Sequence, residues 1–258
     1  MTKMKIKRIL VGGVGLMLTA FGSMAGEDAV KYDKPAKKSG EAIVVTDGGI
    51  SARVYGSFPD EKIEIGRDGQ DSYATMIIRH SLPVKSKVKN YRRGREDDGM
   101  VYTDIVLTDG VRDQRIFASR PDSVIVMTYG DELQLDATIA LTSELPHEVK
   151  SFDDWILLTV DDDKHNARIS TMLKVIPGPG NITTNPDGSL TLNYMKGASL
   201  ILTGLTSELH AAEEPSGDSD VDKARMRLFL AGFMGIDKLR EHRNDQTPGA
   251  SDNALRSL

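Results

Sequence analysis

The sequence predicts an all-β protein: a large antiparallel sandwich with a short helical segment on its C-terminal side. Three observations predict it. Short stretches of strand-like composition recur about every 8–12 residues, separated by turn dipeptides. No helical period lies between them, which argues against parallel βαβ units. After His210 an acidic stretch containing Pro and Gly gives way to an apolar stripe at helical spacing.

The elements follow in order. Lys3, Lys5, Lys7 and Arg8 precede an uncharged, mostly apolar run over 9–22, and Ser23-Met24-Ala25 supplies small residues at a cleavage position. This is the layout of a secretory signal peptide over 1–25. The run is shorter than the roughly 20 residues that span a bilayer. The sandwich is expected over 26–210. Strands are predicted at 42–45, 50–55, 62–65, 75–78 and 84–88, with a polar loop at 66–72. Val101 opens the clearest hairpin, 101–108 and 111–118, whose Asp109-Gly110 turn suits type I′ geometry. Further strands are predicted at 123–129, 134–142, 155–160, 167–175, 182–184, 189–195 and 199–205, about a dozen in all. The segment 211–245 is predicted as linker and short helices. Ser219 is the candidate cap, Asp222 falls in the first turn, and Val221, Ala224, Leu228 and Ala231 share one stripe. Gly232 and Gly235 interrupt it before a second helix at 236–243. Helices this short need the sandwich, or something outside it, to bury their stripe. The polar segment 246–258 is expected to be disordered.

Composition excludes several classes. The chain has 258 residues, 33 Lys+Arg against 38 Asp+Glu, and no cysteine. Disulfides, thiolate zinc sites, thiol nucleophiles and iron–sulfur clusters are ruled out. Mild acidity argues against nucleic acid as a partner. Without residues 1–25 the chain keeps 29 basic and 38 acidic residues, a net charge of −9. The expected location is periplasmic or secreted, with no membrane contact after signal cleavage.

Chemical motifs are sparse. The histidines at 80, 147, 165, 210 and 242 are scattered, and none pairs at helical ligand spacing. Asp161-Asp162-Asp163 offers carboxylates suited to calcium, but without the spaced ligands and Gly of an EF-hand loop it reads as a solvated hairpin turn. Gly178-Pro179-Gly180 lacks the Lys and helix of a phosphate loop. No metal and no cofactor is expected. Tyr91, Arg92 and Arg93 are the notable group, since two guanidiniums beside a phenol can grip carboxylates or sugar hydroxyls. The competing reading pairs these arginines with Glu96, Asp97 and Asp98.

Seven segments follow one another in a recognisable order: Val30-Lys-Tyr-Asp-Lys-Pro-Ala-Lys, Glu41 to Gly56, Pro59 to Ile65, Asn90-Tyr-Arg-Arg93, Arg115 to Val126, Gly197 to Thr206 and Gly235 to His242. In this order they resemble the N-terminal domain of family 95 glycoside hydrolases, the α-L-fucosidase type. The resemblance implies a β-supersandwich followed by a short helical linker. In that family the catalytic carboxylates lie in an (α/α)₆ barrel after the linker, where this sequence stops, so no catalytic residue is carried over. Asp47 stands where the family has Asn in a loop facing the sugar pocket, and becomes a binding candidate with Tyr91, Arg92 and Arg93. The family's segment containing Trp is replaced by Gly66-Arg67-Asp68-Gly69-Gln70-Asp71-Ser72.

The expected function is an exported, non-catalytic module whose partners are a carbohydrate or a separate α-helical catalytic barrel protein. One alternative is an active glycoside hydrolase acting on α-L-fucosides or related sugars, with Asp47 and Glu64 as candidate carboxylates because both lie near the pocket-facing loops. The other is an unrelated periplasmic interaction sandwich.

Overall fold

The structure, a computed structural model, describes residues 31–57, 59–67, 71–81, 85–96, 98–208 and 220–243. The expected signal peptide, the 246–258 tail and Ser219 lie outside the described residues. The elements are β1 (Lys31–Tyr32), β2 (Ile43–Thr46), β3 (Ile50–Ser57), β4 (Asp60–Arg67), β5 (Ser72–His80), β6 (Val88–Arg95), β7 (Val101–Leu107) and β8 (Val111–Ser119). They continue with β9 (Val124–Tyr129), β10 (Leu135–Thr142), β11 (His147–Phe152), β12 (Trp155–Asp162), β13 (Ala167–Pro177), β14 (Asn181–Thr184), β15 (Leu190–Met195) and β16 (Ala198–Glu208). Two helices follow, α1 (Asp220–Met234) and α2 (Ile236–His242).

Two sheets form, with strand orders β1-β6-β7-β8-β9-β16-β13-β12-β11 and β14-β15-β10-β5-β4-β3-β2. The result is the all-β antiparallel sandwich that the sequence predicts. Alternation explains which face each strand buries. On β7, Val101, Thr103, Ile105 and Leu107 are buried while the residues between are half-exposed. The main core fills the gap between the sheets, with Ala52, Val54, Ile63 and Ile65 facing Ile116, Leu158, Leu173 and Leu200.

Strands β9, β13 and β16 are buried on both faces. Their second face meets the helices: Val124, Val126, Met172 and Ile201 pack with Ala224, Leu228, Ala231 and Leu239. The predicted helical stripe thus finds its cover on the nine-stranded sheet. Gly235, at φ 86°, separates α1 from α2. Asp122 accepts a hydrogen bond from Ser119 and contacts His242 at 3.1 Å, which ties α2 to the β8–β9 connection.

Three local expectations change. The strand expected at 84–88 begins instead at Val88 and runs to Arg95, with Ser86 and Lys87 outside it. Its polar composition hides it, because only Tyr91, Arg93 and Gly94 are buried. Strand β11 is a polar edge strand paired on one side only, so it lacks an alternating apolar signal. The 107–110 loop is not type I′: Gly110 has positive φ, but Asp109 does not.

The sheets are also joined by a buried charge. Glu61 of β4 sits between them. Its Oε2 lies 3.1 Å from His80 Nε2 and accepts hydrogen bonds from Gln114 Nε2 at 3.1 Å and Tyr129 Oη at 3.0 Å. Arg93, only 2% exposed, approaches Oε1 at 3.5 Å. Its other donors reach Thr103 Oγ1 and the Val54 carbonyl. Burial alone would raise the Glu61 pKa, but the His80 contact, the Arg93 charge and the Tyr129 hydrogen bond outweigh it and bring the value to about 2.

The unfolded carboxylate value is higher, about 4.3. Stabilisation by ionised Glu61 is therefore complete above about pH 4.3 and is lost as pH falls towards 2, a contribution on the order of 3 kcal/mol. Glu61→Gln leaves Arg93 buried without its counter-charge and should cost roughly 3–5 kcal/mol at pH 7. Urea unfolding of parent and variant at pH 7 and pH 3 checks this. The gap between them should narrow at the lower pH, and parallel curves would contradict the assignment.

Candidate functional site

At one end of the sandwich a polar cleft of about 850 Å³ runs from the outer face of the seven-stranded sheet to the β12–β13 turn. Its lining comes from strands β3, β4 and β5 and from the loops after β10 and β12. The register pairs Arg53 with Glu64 and Glu64 with Thr75, so these three side chains share the outer face. A bulge between Ile65 and Gly66 leaves Tyr73 as the extra residue on β5. The Tyr73 ring is buried in the core, where its hydroxyl meets Thr171 Oγ1 at 2.9 Å.

Glu64 is the centre of this cleft. Its Oε1 accepts from Tyr55 Oη at 2.7 Å, and its Oε2 accepts from Ser72 Oγ at 3.2 Å and from Ser39 Oγ. Arg53 Nη1 donates to Ser72 Oγ at 3.0 Å. Burial raises the Glu64 pKa, but the hydrogen bonds from Ser39, Tyr55 and Ser72 and the Arg53 charge overcome it, leaving the value below the usual range. Tyr55 is pushed up to about 12, by burial first and then by donation to Glu64.

Across the cleft, Asp162 caps a single 3₁₀ turn. It accepts from the His165 backbone N–H at 3.3 Å, and its Oδ2 lies 2.6 Å from His165 Nδ1. Partial burial opposes ionisation of Asp162, but His165 and Arg67 lower its pKa. Asn166 follows in the left-handed region, which closes the β12–β13 turn. The three aspartates of this turn do not converge: Asp161 pairs with Arg168 at 2.8 Å, while Asp162 holds His165. Among the described residues no group of three or more His, Cys, Asp or Glu side chains could hold a metal ion.

None of Asp47, Tyr91, Arg92 and Arg93 lines this cleft. Asp47 closes the β2–β3 turn, with Oδ1 accepting from the Gly49 and Ile50 N–H groups at 2.7 and 2.8 Å. Its charge contributes to raising the Tyr73 pKa, which burial first pushes to about 12. Alternation along β6 separates the arginines. Arg92 is exposed, while Arg93 turns inward to Glu61, its guanidinium 5.5 Å from the Tyr91 ring centroid. The Tyr91 hydroxyl is buried and has no hydrogen-bond partner among the described residues. Of the sequence candidates, Glu64 alone stands in the cleft. Arg53, Ser72, Lys164 and His165 join it without any motif; Arg53 alternates with buried apolar neighbours along β3, whereas Lys164 and His165 lie in an exposed turn that leaves no periodic signal.

No protein-family model matches this sequence, and no curated protein matches it. Among solved structures, the protein described as "Putative kojibiose phosphorylase from human microbiome" shares the fold, with a TM-score of 0.56 at 12% identity. The match covers 83% of this chain and 37% of that one, so this chain spans little more than a third of its neighbour's length. Among the described residues no helix is long and apolar enough to cross a membrane.

If Glu64 is the ionised acceptor for the Tyr55 phenol, Glu64→Gln should bring the Tyr55 pKa down from about 12 towards 10. Alkaline titration of parent and variant, followed by ultraviolet difference absorbance, checks this. One phenol should titrate earlier in the variant, and identical titrations would contradict the assignment.

Proposed function

We propose that this chain is an exported sandwich of the family 95 type that binds a neutral carbohydrate in the Glu64 cleft without cleaving it. The observation that carries this reading is the pairing of an ionised acceptor with fixed donors. Glu64 is held by three hydroxyls, and Arg53, Lys164 and His165 line the same space. Sugar hydroxyls both donate and accept, so a lining of mixed sign suits them better than it suits an anion or a cation. The seven ordered segments and the fold shared with a protein described as a phosphorylase of kojibiose support the same reading. On this reading, chemistry would be supplied by a separate catalytic partner.

The hydrolase alternative needs one carboxylic acid kept protonated near neutral pH. Glu64 and Asp162 are displaced the other way, towards the ionised form. Asp47 already spends one oxygen on two backbone N–H groups. Binding is therefore favoured over hydrolysis.

Calorimetric titration with fucose, galactose and glucose disaccharides should show saturable binding of at least one, with a Kd on the order of millimolar. Glu64→Ala should weaken it about tenfold. Nitrophenyl α-L-fucoside and galactoside should be released no faster than in buffer. No saturable binding to any of these sugars would overturn the binding reading, and enzymatic release abolished by Glu64→Ala would establish the hydrolase.

A further inference from the structure

A different surface lies where α1 crosses the outer face of the nine-stranded sheet. There a groove of about 420 Å³ is lined mainly by Trp155, Met172, Ile176, Leu228, Phe229 and Phe233. Two of these, Phe233 at 86% exposure and Phe229 at 64%, are the most exposed apolar side chains of the helix. The β11–β12 hairpin adds one more aromatic, Phe152, beside Trp155. Phe152 and Trp155 are cross-strand partners, and their rings stack at 4.4 Å with 23° between planes. Arg225 lies 5.4 Å from the Trp155 ring centroid. Scattered apolar side chains on a surface are ordinary, but a contiguous aromatic patch beside an apolar groove marks an interface.

We propose that a second copy of this chain covers this face in a two-fold arrangement, with Phe233 of each copy entering the other's groove. A two-fold interface uses the same patch on both copies, so the patch must hold both the knob and the hole. This one does. The groove is large enough for an aromatic ring, since an apolar cavity of about 150 Å³ already holds benzene. The charges at the groove are already paired within the chain, Asp154 with Lys174 at 2.6 Å and Arg225 with Asp222 at 3.7 Å. The face therefore presents no net charge of one sign, and two copies can meet on it without like-charge repulsion, whereas a strongly charged partner would find no opposite charge to match. Of the chain's own segments outside the described residues, 209–219 and 244–258 are poor occupants, with no Phe, Trp or Tyr and only Leu209, Leu255 and Leu258 as large apolar residues, and the apolar run over 9–22 belongs to the expected signal peptide.

The full chain tests this directly, because Trp155 is its one tryptophan and lies in the groove wall. Sedimentation should show a monomer–dimer equilibrium, and Trp155 emission should shift to the red on dilution as the groove opens to water. Phe233→Asp should raise the dimer Kd about tenfold or more. Phe233 is exposed, so the thermal midpoint at low protein concentration should stay at the parent's value, and the milder Phe233→Ser provides a second folded variant. A parent that remains monomeric with concentration-independent emission would overturn the proposal. So would a dimer insensitive to both Phe233 variants, or a monomer that takes up an added amphipathic helical peptide at Trp155.

Discussion

The arrangement turns on one buried carboxylate. Glu61 lies between the two sheets with His80 from its own sheet and Arg93, Gln114 and Tyr129 from the other. A charge in that position is tolerable only with its partners in place. It therefore acts as a constraint on register. A slip of β4 by one residue would turn Glu61 to solvent and bring Lys62 towards Arg93, cation against cation, while the apolar set of the strand moved out of the core. The same register decides which face carries the cleft. Glu61 points inward, so Glu64, three positions on, points outward, and the cleft forms around it.

The two carboxylates of β4 thus divide their roles by environment. Both have pKa values below the ordinary range. At Glu61 the displacement reflects a sealed set of partners and contributes to stability. At Glu64 the partners are side chains of a solvent-facing cleft, and the result is an acceptor held ready in fixed orientation. Tyr55, Ser72 and Ser39 supply its donors, and Arg53 and Ser72 extend the network along the same face. Such preorganisation favours binding a polyhydroxylated ligand, because little side-chain freedom remains to be lost.

The fold was legible in the sequence wherever alternation and turn dipeptides were strong, as in the β7–β8 hairpin and the long β13 and β16 strands. The helical stripe of Ala224, Leu228 and Ala231 was equally clear, and it packs on the nine-stranded sheet. Strands β6 and β11 were obscure because one buries only Tyr91, Arg93 and Gly94, with no aliphatic residue among them, and the other is an edge. The role of Arg93 could not be read locally. Two guanidiniums in adjacent positions look like a pair, but strand alternation sends them to opposite faces, and Glu61 lies on the other sheet. The cleft shows the same limit. Glu64 and Lys164 meet there only through the packing of two sheets, and no spacing along the chain records it.

The Glu64 cleft is the proposed carbohydrate site. Chemical-shift mapping on the isotopically labelled chain, titrated with a neutral mono- or disaccharide, tests it most directly. The claim predicts saturable shifts confined to Arg53, Glu64, Ser72, Lys164 and His165, with Trp155 and Phe233 unmoved. Shifts centred on the Trp155 groove instead, or on Arg92 at the outer face of β6, would contradict it.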